Sequence, residues 1–556
     1  MKYNILIGGS AGQGMDTIAT ILKKILQKNG YYIFLNKDYM SRVRGGHNFI
    51  QIRFSKDEVF GYDNELDAII ALDKNTVDIH LDKLKTNGIL ITDESNLEDD
   101  KNDYYEYKLK ELAKELKNIK MVNIIALGCL LKIFGVEINC VKDILKKIFI
   151  NDNIVDINFE AFKKGYDLAK NKFNIEKGSL KESILINGND VVGLSAIASG
   201  VSFYSAYPMT PSTGVMNYIA KKANDANILV EQAEDEIASI NMALGASYAG
   251  ARAMTGSSGG GLALMCESLG LVSIMETPLV VIDVQRPGPA TGLPTRTEQS
   301  DLSFLLTASH GEIPRIIIAL TDQENAFYQT SRAFNLADKY QTLVILLSDQ
   351  FLADSNKTIK DLDFDKITID RYIEFEKTPN YKRYDLENNI SKRRIPGLSK
   401  DYTVITGSNE HNEYGNITED KELRVKMMKK RMGKLDLIKN DLIEPIYYGT
   451  KNPKNLIMGW GSTIGAIKEA IDILNKEKDE FGALIFSDIY PLPTKKLLKY
   501  AKNAVNIINI EQNYTGQLAK LIRSETGIHC NKSILKYDGR QINYKEIVSQ
   551  IEKEVF

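Results

Sequence analysis

Short apolar runs, each followed by a turn rich in glycine, proline, serine or threonine and then by a stretch of helical spacing, recur along most of the chain. Near the start, apolar runs occupy residues 3–7, 68–72, 88–92 and 120–125, while residues 17–26 have the apolar spacing of a helix. Alternating strands and helices are typical of a mostly parallel sheet that is covered by helices on both faces. The pattern therefore predicts a doubly wound α/β fold.

The alternation occurs in three blocks, and a chain of 556 residues is too long for a single core, so three α/β domains are expected. The predicted domains are residues 1–175, 183–355 and 451–556. Residues 356–450 have weak periodicity and are predicted to be a connecting segment. It ends in a basic, helix-like stretch at 421–439, which we expect to be an exposed arm. In the second block the apolar runs lie at 201–205, 228–232, 252–255, 278–284, 315–320 and 342–347.

Charge and hydropathy exclude several classes of protein. The 71 Lys and Arg residues nearly balance the 73 Asp and Glu residues, and neither end has a basic arm, which disfavours binding to nucleic acid or to an anionic membrane. No apolar run approaches the ~18 residues of a membrane span, and the N-terminal segment reaches glycines too early for a secretory signal. We expect a cytoplasmic protein.

The cysteines and histidines predict no metal site in this chain. The four cysteines are far apart and form no CxxC pair, and the five histidines are scattered without an HExxH motif. Iron–sulfur clusters and cysteine-type zinc sites usually take closely spaced thiolates. Redox or metal chemistry would therefore have to come from another chain.

Two stretches of the first block could bind an anion. Residues 8–14, Gly-Gly-Ser-Ala-Gly-Gln-Gly, lie between a predicted strand and a helix, where backbone N–H groups can hold a phosphate. They match neither GxGxxG nor a Walker motif, and a tight turn that packs the helix on the sheet is the simpler explanation. Arg42 and Arg44, beside two glycines, can clamp a phosphate or carboxylate, although a solvated loop explains them equally simply.

Two stretches of the second block could bind an acid substrate. In Tyr207-Pro208-Met209-Thr210-Pro211-Ser212, two prolines stiffen the turn around Thr210, and Ser212 is expected to cap the following helix. A stiffened turn explains the prolines but not the run of hydroxyls. The long loop 285–299 contains two arginines, of which Arg296 is either a carboxylate clamp or a solvated surface residue.

Two further stretches of this block could approach a cofactor. The acids at 231–236 stand at a helix start, where the helix dipole favours them, but a buried acid there can also bond a cofactor ring nitrogen. The run of small residues at 255–261 allows a ligand to come close, or lets a helix pack tightly on the sheet.

Taken in this order, the six stretches resemble the 2-oxoacid:ferredoxin oxidoreductase family, specifically its α subunit with the γ domain fused at the N-terminus. Residues 3–14 and 42–53 resemble the γ domain, and 207–212 match the family's Tyr-Pro-Ile-Thr-Pro-Ser motif with Met209 in place of isoleucine. Residues 232–261 resemble the pyrimidine-binding half of thiamine-diphosphate enzymes. Two later stretches resemble α chains of the 2-oxoglutarate type, at 406–411 and, in a transketolase-C-like domain, at 511–518.

The resemblance implies CoA-dependent oxidative decarboxylation of a 2-oxoacid to an acyl-CoA and CO₂, with reduction of ferredoxin. It implies that activity requires a β subunit, which shares thiamine diphosphate with this chain and carries Mg²⁺ and a [4Fe-4S] cluster. This chain accordingly has neither a Gly-Asp-Gly motif nor a cysteine cluster. The resemblance favours 2-oxoglutarate, with pyruvate, branched-chain 2-oxoacids and aryl pyruvates as alternatives. An alternative from a different functional class is a docking subunit without catalytic activity.

Residue roles also follow from the resemblance. Thr210 and Arg296, with Tyr207 and Ser212 beside them, are expected to contact the substrate. The acid that bonds the aminopyrimidine aligns with Glu234, but a gap of one or two residues would make it Glu236. The remaining expected cofactor contacts are Gly12, Gly14, Arg42, Arg44, Thr255 and Ser257. The γ domain is expected to help cover CoA, with Arg42 and Arg44 as contacts for its phosphates. The family turn at 255–261 normally contains a proline that this chain lacks, and this departure, with Met209, leaves the substrate open.

Overall fold

The structure is a computed structural model that describes residues 1–40, 46–97, 106–376, 378–398, 400 and 402–555. The described chain forms two compact units. The first comprises Met1–Ile186 with Asp354–Leu362, and the second comprises Asn187–Ala353 with Asp363–Phe556. The predicted α/β class is confirmed, with one sheet in the first unit and two in the second.

The chain alternates between strands and helices in both units. The strands are β1 (Tyr3–Ser10), β2 (Tyr32–Asp38), β3 (His47–Ser55), β4 (Leu66–Ala71), β5 (Leu84–Asp93), β6 (Glu106–Tyr107), β7 (Ile184–Asn187), β8 (Phe203–Ala206), β9 (Leu229–Gln232), β10 (Ala253–Ser257), β11 (Leu279–Gln285), β12 (Arg315–Ala319), β13 (Leu343–Asp349), β14 (Asn356–Ile359), β15 (Ile446–Gly449), β16 (Asn455–Trp460), β17 (Phe481–Phe486), β18 (Asp488–Tyr490), β19 (Asn506–Glu511) and β20 (Lys532–Leu535). The helices are α1 (Met15–Lys28), α2 (Lys74–His80), α3 (Leu109–Glu115), α4 (Val122–Phe134), α5 (Val141–Ile148), α6 (Asp152–Leu168), α7 (Gly188–Ala198), α8 (Thr213–Ala226), α9 (Glu236–Tyr248), α10 (Gly259–Leu264), α11 (Cys266–Ile274), α12 (Leu302–Thr307), α13 (Gln323–Tyr340), α14 (Gln350–Asp354), α15 (Lys421–Met432), α16 (Lys434–Ile438), α17 (Ile464–Glu477), α18 (Lys495–Ala501), α19 (Gln517–Thr526) and α20 (Tyr544–Val555).

The sheet of the first unit has the strand order β6-β5-β4-β1-β3-β2-β14-β7. Strand β1 runs parallel to β4 and antiparallel to β3, so the parallel half continues into an antiparallel half. The strand predicted at 120–125 is wrong, because these residues form a short 3-10 turn and the start of α4. Helix α4 is buried on nearly all sides, and such a helix lacks the periodicity that would distinguish it from a buried strand.

The second unit contains a seven-stranded sheet of order β18-β12-β13-β11-β10-β8-β9 and a five-stranded sheet of order β15-β17-β16-β19-β20. Strands β8 to β13 are parallel in the larger sheet, and β16, β17, β19 and β20 are parallel in the smaller one. Apolar side chains of both sheets, including Ile345 of β13 and Trp460 of β16, share one core. Parallel strands end at a common edge, where open α/β sheets bind ligands.

The connecting segment contributes more than an exposed arm. Its first strand, β14, pairs with β2 in the first unit, and α15 and α16 form within the stretch predicted as helix. Lys430 and Lys434 of these helices are buried, and their Nζ atoms lie 2.6 and 2.7 Å from the Glu276 carboxylate. The expectation of an exposed arm is therefore wrong for these side chains, since a buried counter-ion compensates their charge.

Candidate functional site

The turn after β8 carries Thr210 at the ligand-binding edge of the larger sheet. The backbone oxygen of Thr210 accepts a hydrogen bond of 2.6 Å from Nη1 of Arg286. Tyr207 is exposed, whereas Ser212 is buried. Ser212 stands at the N-cap position of α8, but its hydroxyl donates to the Met209 carbonyl at 2.9 Å. The predicted cap is wrong, because Ser212 has helical backbone angles rather than the extended ones that aim a side chain at the helix N–H groups.

The two arginines of the loop 285–299 lie in different surroundings. Arg286 follows β11 directly, is half-buried and reaches Thr210. Arg296 packs against Gly539, where an added Cβ would stand 3.2 Å from the Arg296 Cβ. The sequence points to Arg296, whereas the contact with the Thr210 backbone is made by Arg286. Its position immediately after a strand of the ligand-binding edge is the signal that could have identified it.

Glu236 and Glu234 also differ in their surroundings. Glu234 is exposed, whereas Glu236 is the first residue of α9 and only 4% exposed. Asp235 between them caps α9 by accepting a hydrogen bond of 2.7 Å from the Ala238 N–H. The buried Oε1 atom of Glu236 has no hydrogen-bond partner within the described chain. A buried polar atom without a hydrogen-bond partner is rare unless a ligand or a water molecule supplies that partner.

Ser257 and Gly261 complete the surroundings of Glu236. The Ser257 hydroxyl is buried and, in the described residues, also lacks a hydrogen-bond partner. A Cβ added to Gly261 would overlap the Ser257 Oγ and would stand 2.8 and 2.9 Å from Cγ and Oε1 of Glu236. The site thus brings a buried carboxylate and a buried hydroxyl, both with unpartnered oxygens, against the backbone of α10 at a glycine that has no side chain to displace them.

Thr255 is a buried residue of β10, beneath α9. Its Oγ1 is buried and donates to the Ser239 Oγ at 3.4 Å, while the Ser205 hydroxyl donates to the Ser239 carbonyl at 2.6 Å. These contacts tie α9 to the strands β8 and β10 beneath it. Thr255 therefore supports the helix that begins with Glu236.

The smaller sheet holds the far end of the loop that carries both arginines. Gln299 donates from Nε2 to the Trp460 carbonyl at 2.9 Å, and its backbone N–H donates to the Gln512 carbonyl at 2.7 Å. Asn513 donates from Nδ2 to the Gln299 carbonyl at 3.0 Å. The stretch 511–518, noted in the sequence, thus acts as a brace for this loop. Beside it, burial raises the pKa of Glu298 to about 7.

The glycine-rich turn of the first unit borders a cleft of its own. Gly12 and Gly14 have φ angles of +93° and +81°, in the left-handed region that favours glycine. Both glycines line a cavity of about 590 Å³ together with Lys110 and Lys120. Arg42 and Arg44 lie outside the described residues.

Potential metal ligands are not grouped in the part of the chain that the structure describes. No set of three or more His, Cys, Asp or Glu side chains there has a metal-binding arrangement. His47 and His80 do meet, with their Nε2 atoms 2.7 Å apart, and burial lowers the pKa of His80 to about 3. No helix among the described residues combines the length and apolarity needed to cross a membrane.

Comparisons with known proteins cover the whole chain. Family models match in three places: "Pyruvate ferredoxin/flavodoxin oxidoreductase" at residues 4–168, "Pyruvate flavodoxin/ferredoxin oxidoreductase, thiamine diP-bdg" at 195–430, and "Pyruvate:ferredoxin oxidoreductase core domain II" at 454–547.

Among curated relatives, a 2-oxoacid:ferredoxin oxidoreductase subunit alpha from a Sulfolobus species is 33% identical over 100% of this chain and 97% of its own length. A 2-oxoglutarate synthase subunit KorA from Archaeoglobus fulgidus is 30% identical over 67% of this chain and 100% of its own. Among solved structures, a 2-oxoglutarate:ferredoxin oxidoreductase from Magnetococcus marinus, with 2-oxoglutarate, coenzyme A and succinyl-CoA bound, is similar over 100% of both chains, with a TM-score of 0.95 and 32% identity.

Proposed function

The chain belongs to the 2-oxoacid:ferredoxin oxidoreductase family as an α subunit, and we propose that with a β subunit it oxidises 2-oxoglutarate. The balanced reaction converts 2-oxoglutarate, CoA and two oxidised ferredoxins into succinyl-CoA, CO₂, two reduced ferredoxins and a proton. The observation that carries this choice of substrate is the full-length likeness to the Magnetococcus marinus enzyme, whose structure holds 2-oxoglutarate and succinyl-CoA.

The residues around Glu236 fit the aminopyrimidine of thiamine diphosphate. Its unpartnered Oε1 and the Ser257 hydroxyl offer polar contacts, and Gly261 has no side chain that would displace either group. When bound, thiamine diphosphate supplies the electron sink for decarboxylation of a 2-oxoacid. In this chain, Oε1 of Glu236 holds and exchanges a proton, and the first turn of α10 excludes water. We assign the ring contact to Glu236 rather than Glu234, because only Glu236 is buried.

The substrate's carboxylate is assigned to Arg286 and the turn at Thr210. A guanidinium has five N–H donors, and the Nη1 contact with the Thr210 carbonyl leaves others to bind a carboxylate. That contact also fixes the distance between Arg286 and the turn that carries the Thr210 hydroxyl. Tyr207 and Ser212 belong to the same turn and shape it. Arg296 is the alternative clamp, and it is tested below against Arg286.

The cavity beside Gly12 and Gly14 is the proposed site for CoA in the first unit. Backbone N–H groups in a glycine turn bind phosphate oxygens, and Lys110 and Lys120 on the cavity wall add positive charge. The apolar residues of the same wall suit the uncharged part of a ligand.

The division of labour completes the proposal. We assign Mg²⁺ and the [4Fe-4S] cluster to the β subunit and place the complex in the cytoplasm, where ferredoxin accepts the electrons. The sequence supports this division, because it contains neither a CxxC pair nor a Gly-Asp-Gly motif.

The substrate assignment is tested with the complex of this chain and its β subunit. CoA and a viologen acceptor are supplied, and 2-oxoglutarate, pyruvate, a branched-chain 2-oxoacid and an aryl pyruvate are compared. We expect 2-oxoglutarate to have the highest kcat/KM. A higher value for any other acid overturns the choice of 2-oxoglutarate, and activity without CoA overturns the reaction.

The acid is tested by the matched variants Glu236→Gln and Glu234→Gln. Glutamine preserves the size of the side chain but cannot hold the exchangeable proton, so Glu236→Gln should lower kcat by about 10²- to 10⁴-fold. Glu234→Gln should leave kcat within a factor of about two, because that side chain is exposed. Co-elution with the β subunit verifies assembly. Equal losses in both variants would refute the assignment.

A further inference from the structure

Two further acids, Asp283 and Asp301, lie near the start of α10. Asp283, in β11, is completely buried, and neither of its carboxyl oxygens accepts a hydrogen bond from an N–H group or a hydroxyl of the described residues. Asp283 stands opposite Ser257 of β10 in the sheet, and Asp301 packs on Gly259, two residues beyond Ser257. The Oδ2 atom of Asp301 is also buried without a hydrogen-bond partner among the described residues, and Asp301 is the acid that acts most strongly on Asp283. Asp301 stands at the N-cap position of α12 but does not cap that helix. An added Cβ on Gly259 would stand 2.5 and 2.6 Å from Cγ and Oδ1 of Asp301, so the acid packs on the backbone of α10.

Two ionised carboxylates can only accept hydrogen bonds, so the proximity of Asp283 and Asp301 favours a proton on one of them. Burial, with the nearby charge of Asp301, raises the pKa of Asp283 well above its ordinary value. Burial also raises the pKa of Asp301 to about 6, against the opposing effects of Asp283 and Arg286. Glu298 also interacts electrostatically with Asp301. Both shifts favour a proton on the pair at neutral pH.

The pair joins the two ends of the loop that carries Arg286. Asp283 lies three residues before Arg286, and Asp301 is the last residue before α12. Beside the pair, the backbone N–H of Asp301 donates to Oε1 of Gln285 at 3.0 Å, and Gln285 donates from Nε2 to the Ser348 carbonyl at 3.0 Å. The base of the loop is thus closed by one neutral hydrogen bond and by the two acids.

We propose that Asp283 and Asp301 share a single proton that fastens the base of this loop, and that they are positioning residues for the contact between Arg286 and the 2-oxoacid. The proposal rests on the proposed function in one respect, which is the assignment of Arg286 to the substrate. Loss of the shared proton places two negative charges in contact and separates the ends of the loop. Substrate binding then weakens while the chemistry at Glu236 is unchanged.

The test measures KM and kcat for 2-oxoglutarate against pH in the assembled complex. In the wild type, KM should rise about tenfold between neutral and alkaline pH with little change in kcat. Asp283→Asn should flatten this rise, because the amide donates to Asp301 without titrating. Asp283→Leu, which cannot donate, should raise KM about tenfold at every pH.

Asp349→Asn is the matched control. Asp349 is another buried acid at the end of a neighbouring strand, β13, and burial raises its pKa to about 6 as well. Its carboxylate accepts a hydrogen bond of 2.9 Å from the Leu352 N–H, so it needs no proton to be satisfied. The variant should keep the wild-type dependence of KM on pH.

An infrared difference spectrum provides a readout that does not depend on activity. The spectrum of the full chain minus that of Asp283→Asn, at neutral pH, should contain the carbonyl stretch of one protonated carboxylic acid. Absence of that band overturns the shared proton. A band accompanied by a pH-independent KM in the wild type overturns the positioning role. An unchanged KM in Arg286→Ala instead overturns the assignment of Arg286 in the proposed function.

Discussion

Replacing Gly261 by alanine tests whether the surroundings of Glu236 are as tight as the structure indicates. The new Cβ would overlap the Ser257 hydroxyl and stand 2.8 Å from Cγ of Glu236. Ordinary contacts between such atoms are 3.4 Å or longer, so both side chains must move. Because the atoms in the way belong to side chains and not to backbone, we expect the displacement to affect catalysis more than folding.

The expected magnitudes follow from that displacement. A shift of about 1 Å in a catalytic group costs on the order of 10²-fold in rate, so kcat should fall about 100-fold. Overpacking costs about 1–3 kcal/mol of unfolding free energy, and alanine recovers up to about 1 kcal/mol through its helix propensity. The melting temperature should therefore fall by only a few degrees. KM for 2-oxoglutarate should change little, because Arg286 and Thr210 are untouched.

Gly260→Ala is the control, since the nearest atom to its added Cβ is the Ala290 carbonyl oxygen at 3.8 Å. This variant should keep wild-type kcat and gain slightly in stability. Steady-state kinetics of the assembled complex and thermal unfolding of the chain give the comparison. Wild-type kcat in Gly261→Ala would refute the reasoning, as would an equal loss in both variants.

Three more predictions address other parts of the chain. Arg286→Ala should raise KM for the 2-oxoacid about 10- to 150-fold, because a charge-assisted hydrogen bond contributes ~1.5–3 kcal/mol. Arg296→Ala should leave KM unchanged, and the opposite result for the two variants would assign the carboxylate to Arg296. Glu276→Gln should lower the unfolding free energy, measured with denaturant, by about 3–5 kcal/mol, because Lys430 and Lys434 lose their buried counter-ion; a loss below about 1 kcal/mol would contradict this. The chain purified anaerobically without a β subunit should be colourless, and a visible charge-transfer band would contradict the assignment of the cluster to that subunit.

Much of the fold could be predicted from the alternation of apolar runs and turns. The run at 278–284 corresponds to β11, and the run at 342–347 corresponds to β13. The family resemblance is confirmed as well. The error at 120–125 has a physical cause, because α4 is buried on nearly all sides and carries no amphipathic period.

The contacts within the site depend on which segments of the chain meet in space. Local sequence patterns do not encode these meetings. Arg286 and Arg296 belong to one loop, and both have proline and glycine close by in the sequence. Only the placement of β11 in the sheet brings Arg286 to Thr210. The proximity of Asp283 and Asp301 is likewise invisible in the sequence, since it depends on the path of the whole loop between them.

The choice between Glu234 and Glu236 is different, because the sequence did contain a usable signal. Asp235 is a favourable N-cap residue, which makes Glu236 the first residue of the helix. Glu236 then lies four and eight residues before Ile240 and Leu244, on the face of α9 that packs against the sheet. An acid on the apolar face of a helix is costly to bury unless it has a partner. Helical phase alone therefore marks Glu236 as the buried acid, and Glu234, which precedes the cap, as the solvated one.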